Sequence, residues 1–397
     1  MEKNKIITIS GQPVTGKGTT VKKIVEKLKK QGYSDENIHV ITTGHEFRDY
    51  FNAIFEIIKE CNEPEKIEKI QLREDLKTIL GNKEYRKILI DTILKLKQSE
   101  IDINNLTIEH ANNLKEFGDL RKAIDGIIDN GIAEKGKEIN SVLRPNEIWI
   151  IDSRLAFHNI PDAFSVRLIS TPKVAADRLF NDKSRGEEDN KYSSVEEAYK
   201  AREGRKKGEQ ERYLKRYGVD LEDKRNYNLV IDTSYSTAED IANAILTCLD
   251  CYIEGKVFSK NWASPKVFLP LQRERDTIGR DKWHSLEEME EAIRKNGYVP
   301  SSALQVIEVD EIKYIIEGHH RNFASARLNR TLIPYEVIAK DDEKFDFSQR
   351  TARSRAKEAR KVDLHNHEWL IGKTFSYDEV YPGIYDKLKN SKEIEER

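Results

Sequence analysis

The chain has 397 residues, 38% hydrophobic and 35% charged, and its 68 Lys and Arg nearly cancel 70 Asp and Glu to a formal net charge of -2. That length exceeds one ordinary core and sets an expectation of two or three domains, while near neutrality supplies no global field toward nucleic acid. No window approaches the roughly 18 apolar residues of a membrane span, no charged segment leads into an apolar leader, and three cysteines do not make a disulfide framework, so the expectation is a soluble cytoplasmic protein.

In chain order, a β-branched run (Ile6, Ile7, Thr8, Ile9) ends at Gly11, and a helical face of Val21, Ile24, Val25 and Leu28 begins near Lys17 and stops at Gly32. Between them stands Gly11-Gln-Pro-Val-Thr15-Gly16-Lys17-Gly18-Thr19-Thr20. Glycines in such a loop let successive N–H groups turn toward an anion, and the helix start adds its dipole. Lys17 can reach β- and γ-phosphates, and Thr19 can help hold Mg2+. Gly11, Thr15, Gly16, Lys17, Gly18, Thr19 and Thr20 are therefore the residues expected to cradle ATP.

A short apolar run at 38–42 leads into Thr43-Gly44-His45-Glu46-Phe47-Arg48, a helix opening whose arginine can fork onto a second phosphate. Residues 56–118 read as helical and charged, with no catalytic arrangement. In the following helix, 119–139, Asp125 and Asp129 lie four apart on one face. Glu147-Ile-Trp-Ile-Ile-Asp152-Ser-Arg154 is a buried-strand run ending in a carboxylate placed to support a metal and its waters.

Phe164–Ile169 reads as the next strand, and Pro172 starts a helix. The stretch 178–225 gathers Arg178, Lys183, Arg185, Arg202, Arg205, Lys206, Lys207, Arg212, Lys215 and Arg216. Between two elements of a nucleotide-binding sheet, this reads as a lid closing on phosphates, against the simpler alternative of a solvated face. Residues 228–233 give the last strand and 237–253 the last helix, whose Cys248 and Cys251 read as core cysteines because no second pair completes a zinc site. Strands alternating with helices predict an open, mostly parallel α/β sheet.

Residues 255–266 have linker character. A second unit begins at Val267 and carries a helix at 285–296 closed by Gly297, then a strand at 304–309. In Lys313-Tyr-Ile-Ile-Glu317-Gly318-His319-His320-Arg321 a strand again enters a glycine turn and a helix, which makes a second anion site. Helix capping by the histidines, with the arginine paired to a carboxylate, is the competing reading. Residues 341–397 begin with a basic helix to which no chemistry attaches.

Residues 1–250, within a domain expected over 1–254, resemble cytidylate kinases, the archaeal-type branch in particular. The resemblance runs through the glycine loop, Thr43-Gly44-x-x-Phe47-Arg48, Ile124-Asp125-x-x-x-Asp129, Asp152-Ser-Arg154-Leu155, Arg205-x-x-x-Glu209-x-x-Arg212-Tyr213 and Tyr227-Asn-Leu-Val-Ile-Asp232. It implies a nucleoside-monophosphate-kinase-like P-loop fold using ATP and Mg2+. In it Arg48 and Arg154 would hold the acceptor phosphate, Asp125 and Asp129 would lie near the pyrimidine, and Arg178, Arg185, Arg205 and Arg212 would serve the lid. Two departures bear on the acceptor: a helical insertion at about 57–115, and Asp152-Ser where Glu-Gly is usual.

Residues 267–340 resemble the ParB/sulfiredoxin-like fold, its free-serine-kinase branch above all, through Leu269-Pro-Leu, Asn296-Gly297 and Glu317-Gly-His-His-Arg321 followed by Ile333-Pro334. That implies an α+β domain in which Gly318, His319 and Arg321 hold phosphates and Glu317 and His320 act catalytically, with Glu274 a further candidate acid. Three functional expectations result. One is a CMP or dCMP kinase with an accessory second domain. Another is a bifunctional kinase whose C-terminal domain phosphorylates a free amino-acid hydroxyl such as serine. The third is a C-terminal nucleotide-sensing switch. The expected partners are nucleotides and small-molecule substrates, and no helix-turn-helix pattern argues for nucleic acid.

Overall fold

The computed structural model describes residues 4–60, 82–107, 111, 114–181, 192–270, 286–297, 299–310, 312–345 and 350–359. Arg185 and Glu274 lie outside these residues, as do much of the 57–115 insertion and most of the C-terminal extension. The chain folds as two units, one made of 1–10, 35–163 and 180–194, the other of 11–34, 164–179 and 195–397. Among the described residues no helix is long and apolar enough to cross a membrane.

In the first unit the strands Ile38–Thr42, Ile148–Asp152 and Lys5–Gly11 lie parallel, with Ile148 opposite both Ile38 and Lys5. The central strand is buried throughout, which is why its sequence is a continuous apolar run instead of an alternation. Helix Gly118–Asn140 covers this sheet through Ile132 and Ile139, which pack with Ile6, Trp149 and Ile151. Its N-terminal half belongs to a second cluster, in which Leu120, Ile124 and Ile128 meet Phe51, Ile54 and Phe55 of helix Thr43–Glu60 and Leu89, Ile93 and Leu96 of helix Lys83–Gln98. The described part of the insertion therefore packs on the two helices that flank it, through a face with helical spacing.

In the second unit the strand Phe164–Ile169 pairs in parallel with Leu229–Asp232, and that strand in parallel with Asn261–Ala263. The last of these lies in the stretch expected to be a linker. It is a three-residue strand, too short to register as a period-2 pattern, and it also pairs antiparallel with Ile333–Lys340. Leu304–Val309, Ile312–Glu317 and Phe268–Pro270 complete the mixed sheet. Helix Ala238–Glu254 buries Ile241, Ile245 and Leu249, with Cys248 fully enclosed beside them. Burial pushes the Cys248 thiol far above its ordinary range, as befits a core cysteine.

Candidate functional site

The loop after Gly11 is held from several sides within the second unit. The Gln12 backbone N–H donates to the Leu168 carbonyl at 3.3 Å, and the Thr15 hydroxyl donates back to the Gln12 carbonyl at 2.9 Å. A Cβ on Gly11 would lie 2.9 Å from the Leu168 carbonyl and 2.7 Å from the Thr15 hydroxyl, so the close approach requires glycine. Gly16 takes a left-handed conformation and opens helix Lys17–Lys30, whose first turn holds no acidic residue and no side-chain cap. A helix start with neither suits an anion. Lys17 reaches back to the Gly11 carbonyl at 3.5 Å, Thr19 is exposed, and Thr20 is buried with no hydrogen-bond partner for its hydroxyl among the described residues.

Beside this loop is a group that no local spacing announces. The Gln12 carboxamide donates through Nε2 to Glu222 at 2.8 Å and accepts at Oε1 from the Arg202 guanidinium at 2.8 Å. Glu222 also accepts from Arg167 and lies 3.6 Å from Lys206. Arg202 is only 1% exposed, and its other terminal nitrogen meets Glu203. Burial raises the Glu222 pKa, but the charges of Arg167 and Lys206 and the hydrogen bonds from Gln12 and Arg167 outweigh it and hold the carboxyl below its ordinary value.

Of the expected lid arginines, Arg178 is turned into the protein: it donates to the Thr233 carbonyl at 2.6 Å, the Thr233 hydroxyl at 3.2 Å and the Ser234 carbonyl at 3.3 Å. Burial lowers its pKa, against the pull of Asp232. Arg205 pairs with Glu209 one turn on, and Arg212 lies over the Tyr213 ring, both on helix Val195–Tyr217.

In the first unit, the helix bearing Arg48 starts where the strand bearing Asp152 ends, with the Thr43 hydroxyl donating to the Asp152 carbonyl at 3.2 Å. Arg48 is exposed, Asp152 is buried and Arg154 is half-buried two residues on. Asp125 is half-buried and Asp129 buried on the helix packed against the Arg48 helix; the Asn159 amide donates to the Asp129 carbonyl at 3.0 Å.

At the second glycine turn, Gly318 has φ 98°, and a Cβ there would meet Leu304 at 2.6 Å. Helix His319–Arg327 begins without a side-chain cap or an acidic residue. Arg321 donates to the Ala303 carbonyl at 2.7 Å and the Ser302 hydroxyl at 3.1 Å, with Glu317 at 3.6 Å. His319 is buried, His320 half-buried, and the Asn322 Oδ1 and Ser325 Oγ atoms are buried without hydrogen-bond partners among the described residues.

Alternating strands and helices with mostly parallel pairs make this a mixed α/β protein. Over 145 residues, 36% of this chain and 76% of the relative, it is 31% identical to the cytidylate kinase of Methanocella arvoryzae. It is 30% identical over 165 residues, 38% of this chain and 86% of the relative, to that of Sulfolobus acidocaldarius. By that segment, little more than a third of its length, the chain belongs to the cytidylate kinase family. It is also 36% identical over 120 residues to an S-adenosylmethionine-dependent nucleotide dehydratase of Lacinutrix mariniflava, of which it spans only 23%. No protein-family profile matches the chain. A solved uncharacterized protein from Eubacterium ventriosum aligns over 62% of this chain and 99% of its own at 15% identity and a TM-score of 0.33, too low to bear on the fold.

Proposed function

We propose that the chain is an ATP-dependent phosphotransferase whose kinase segment, a P-loop domain within residues 1–254, phosphorylates a nucleoside monophosphate such as CMP or dCMP. The observation that carries this is the loop at 11–20: a glycine-lined turn before an uncapped helix start free of acidic residues, with Lys17 on it. Lys17 would neutralise charge on the transferring phosphoryl group. Mg2+ takes few protein ligands when phosphates supply the rest, and Thr19 would be one of them. Arg48 and Arg154 of the first unit are assigned to the acceptor phosphate, Asp125 and Asp129 to the base, and Arg205 and Arg212, with Arg185, to the lid.

A second phosphate ligand at Glu317–Arg321 has its own support: a helix start with no side-chain cap and no acidic residue in its first turn, entered through a left-handed Gly318. On this reading the C-terminal region is a ParB/sulfiredoxin-like domain acting on a small hydroxyl compound such as serine or sensing a nucleotide. Its phosphate contacts come from the helix N–H groups and His320, because Arg321 is engaged with Ser302 and Ala303.

The test is an acceptor screen on the full chain with MgATP, covering CMP, dCMP, UMP, AMP and free serine. Transfer to a pyrimidine monophosphate supports the first reading. Transfer to serine that survives Lys17→Ala supports the second. Absence of transfer to every acceptor, with no MgATP binding, removes both.

A further inference from the structure

Every polar group of Gln12 is engaged. Its N–H goes to Leu168, its carbonyl receives Thr15, its Oε1 receives Arg202 and its Nε2 donates to Glu222. The two ends of the carboxamide face opposite charges, so the side chain has one orientation, and that orientation fixes the loop backbone on which Gly16 and Lys17 follow. Glu222 in turn sits on a braced turn: its N–H donates to Asp220 at 2.9 Å, and Asp220 also accepts from Gln210 of helix Val195–Tyr217 at 3.3 Å. Arg202 and Lys206 come from that same helix.

We propose that Glu222 is a positioning residue for the nucleotide-binding loop, acting through Gln12 and tying that loop to helix Val195–Tyr217. This rests on the reading of residues 11–20 as the MgATP site. The geometry makes the carboxylate the common partner of three cations, Arg167 and Lys206 directly and Arg202 through the carboxamide. Its loss therefore releases the loop and leaves buried guanidinium groups crowded together.

The experiment uses the full chain with Glu222→Gln, Gln12→Ala, both together, and the exchanged pair Gln12→Glu with Glu222→Gln. It reads MgATP affinity by calorimetry and amide hydrogen exchange of the ligand-free peptide spanning residues 8–22. Each single variant should weaken MgATP roughly 10-fold and speed exchange in that peptide, leaving helix Ala238–Glu254 unchanged. Glu222→Gln with Gln12→Ala should be no worse than the worse single variant, and the exchanged pair, which keeps one carboxylate and one carboxamide, should recover part of both signals. Additive losses, or loop exchange equal to wild type in folded Gln12→Ala, would overturn the proposal. If wild type binds no MgATP while loop exchange still rises in the variants, the positioning role stands and the nucleotide reading falls.

Discussion

The Gln12 carboxamide donates to the Glu222 carboxylate at 2.8 Å across 210 positions of sequence. Replacing it by leucine keeps the volume but removes a donor from Glu222 and an acceptor from Arg202, leaving buried charge less satisfied. Gln12→Leu should lower unfolding stability by about 1 to 3 kcal/mol, measured by urea denaturation of the full chain.

Val14 has φ 64°, a left-handed conformation that a β-branched side chain resists. Val14→Gly relieves the strain at some cost in unfolded-chain entropy, so the net expectation is a gain of about 1 kcal/mol. A thermal midpoint at or below that of wild type would show that the loop relaxes without glycine.

His319 is pushed down to about 4 from 6.5, first by burial and then by the charges of His320 and Arg355. Its folded pKa lies below its unfolded one, so the unfolded chain takes up the proton first as pH falls. The stability linked to neutral His319 is complete above about 6.5 and is lost as pH drops toward 4. Between pH 7 and pH 5 the loss should be about 2 kcal/mol, and His319→Gln should reduce that slope in urea titrations at the two pH values.

Much of this was legible in the sequence because it is local. The apolar run ending at Gly11, the helical face of Val21, Ile24 and Leu28, and the buried strand ending at Asp152 follow from period and punctuation alone. What escaped depends on contacts far apart in the chain. Gln12 looked like a loop residue and Arg202 like one arginine in a basic run, and only the fold brings both to Glu222. The strand Asn261–Ala263 was hidden for another reason: three residues carry no period, and its partners on either side define it. Arg321, expected to face an anion, donates instead to the Ala303 carbonyl and the Ser302 hydroxyl, partners that lie 18 and 19 positions away and that no local pattern announces.

Arg48→Ala and Arg154→Ala should weaken the monophosphate acceptor by roughly 10- to 150-fold, the worth of a lost charge-assisted contact. MgATP affinity should change little. Calorimetric titration of each variant with CMP and with MgATP separates the two, and equal loss of both ligands would assign these arginines to the fold or the donor.

The most direct test follows phosphate transfer from labelled ATP to CMP or dCMP in the full chain and in Lys17→Ala. The lysine adds charge and little packing, so the variant should keep its circular dichroism and thermal midpoint while transfer drops to background. Wild-type turnover in folded Lys17→Ala would contradict the assignment of residues 11–20 to the transferring phosphate.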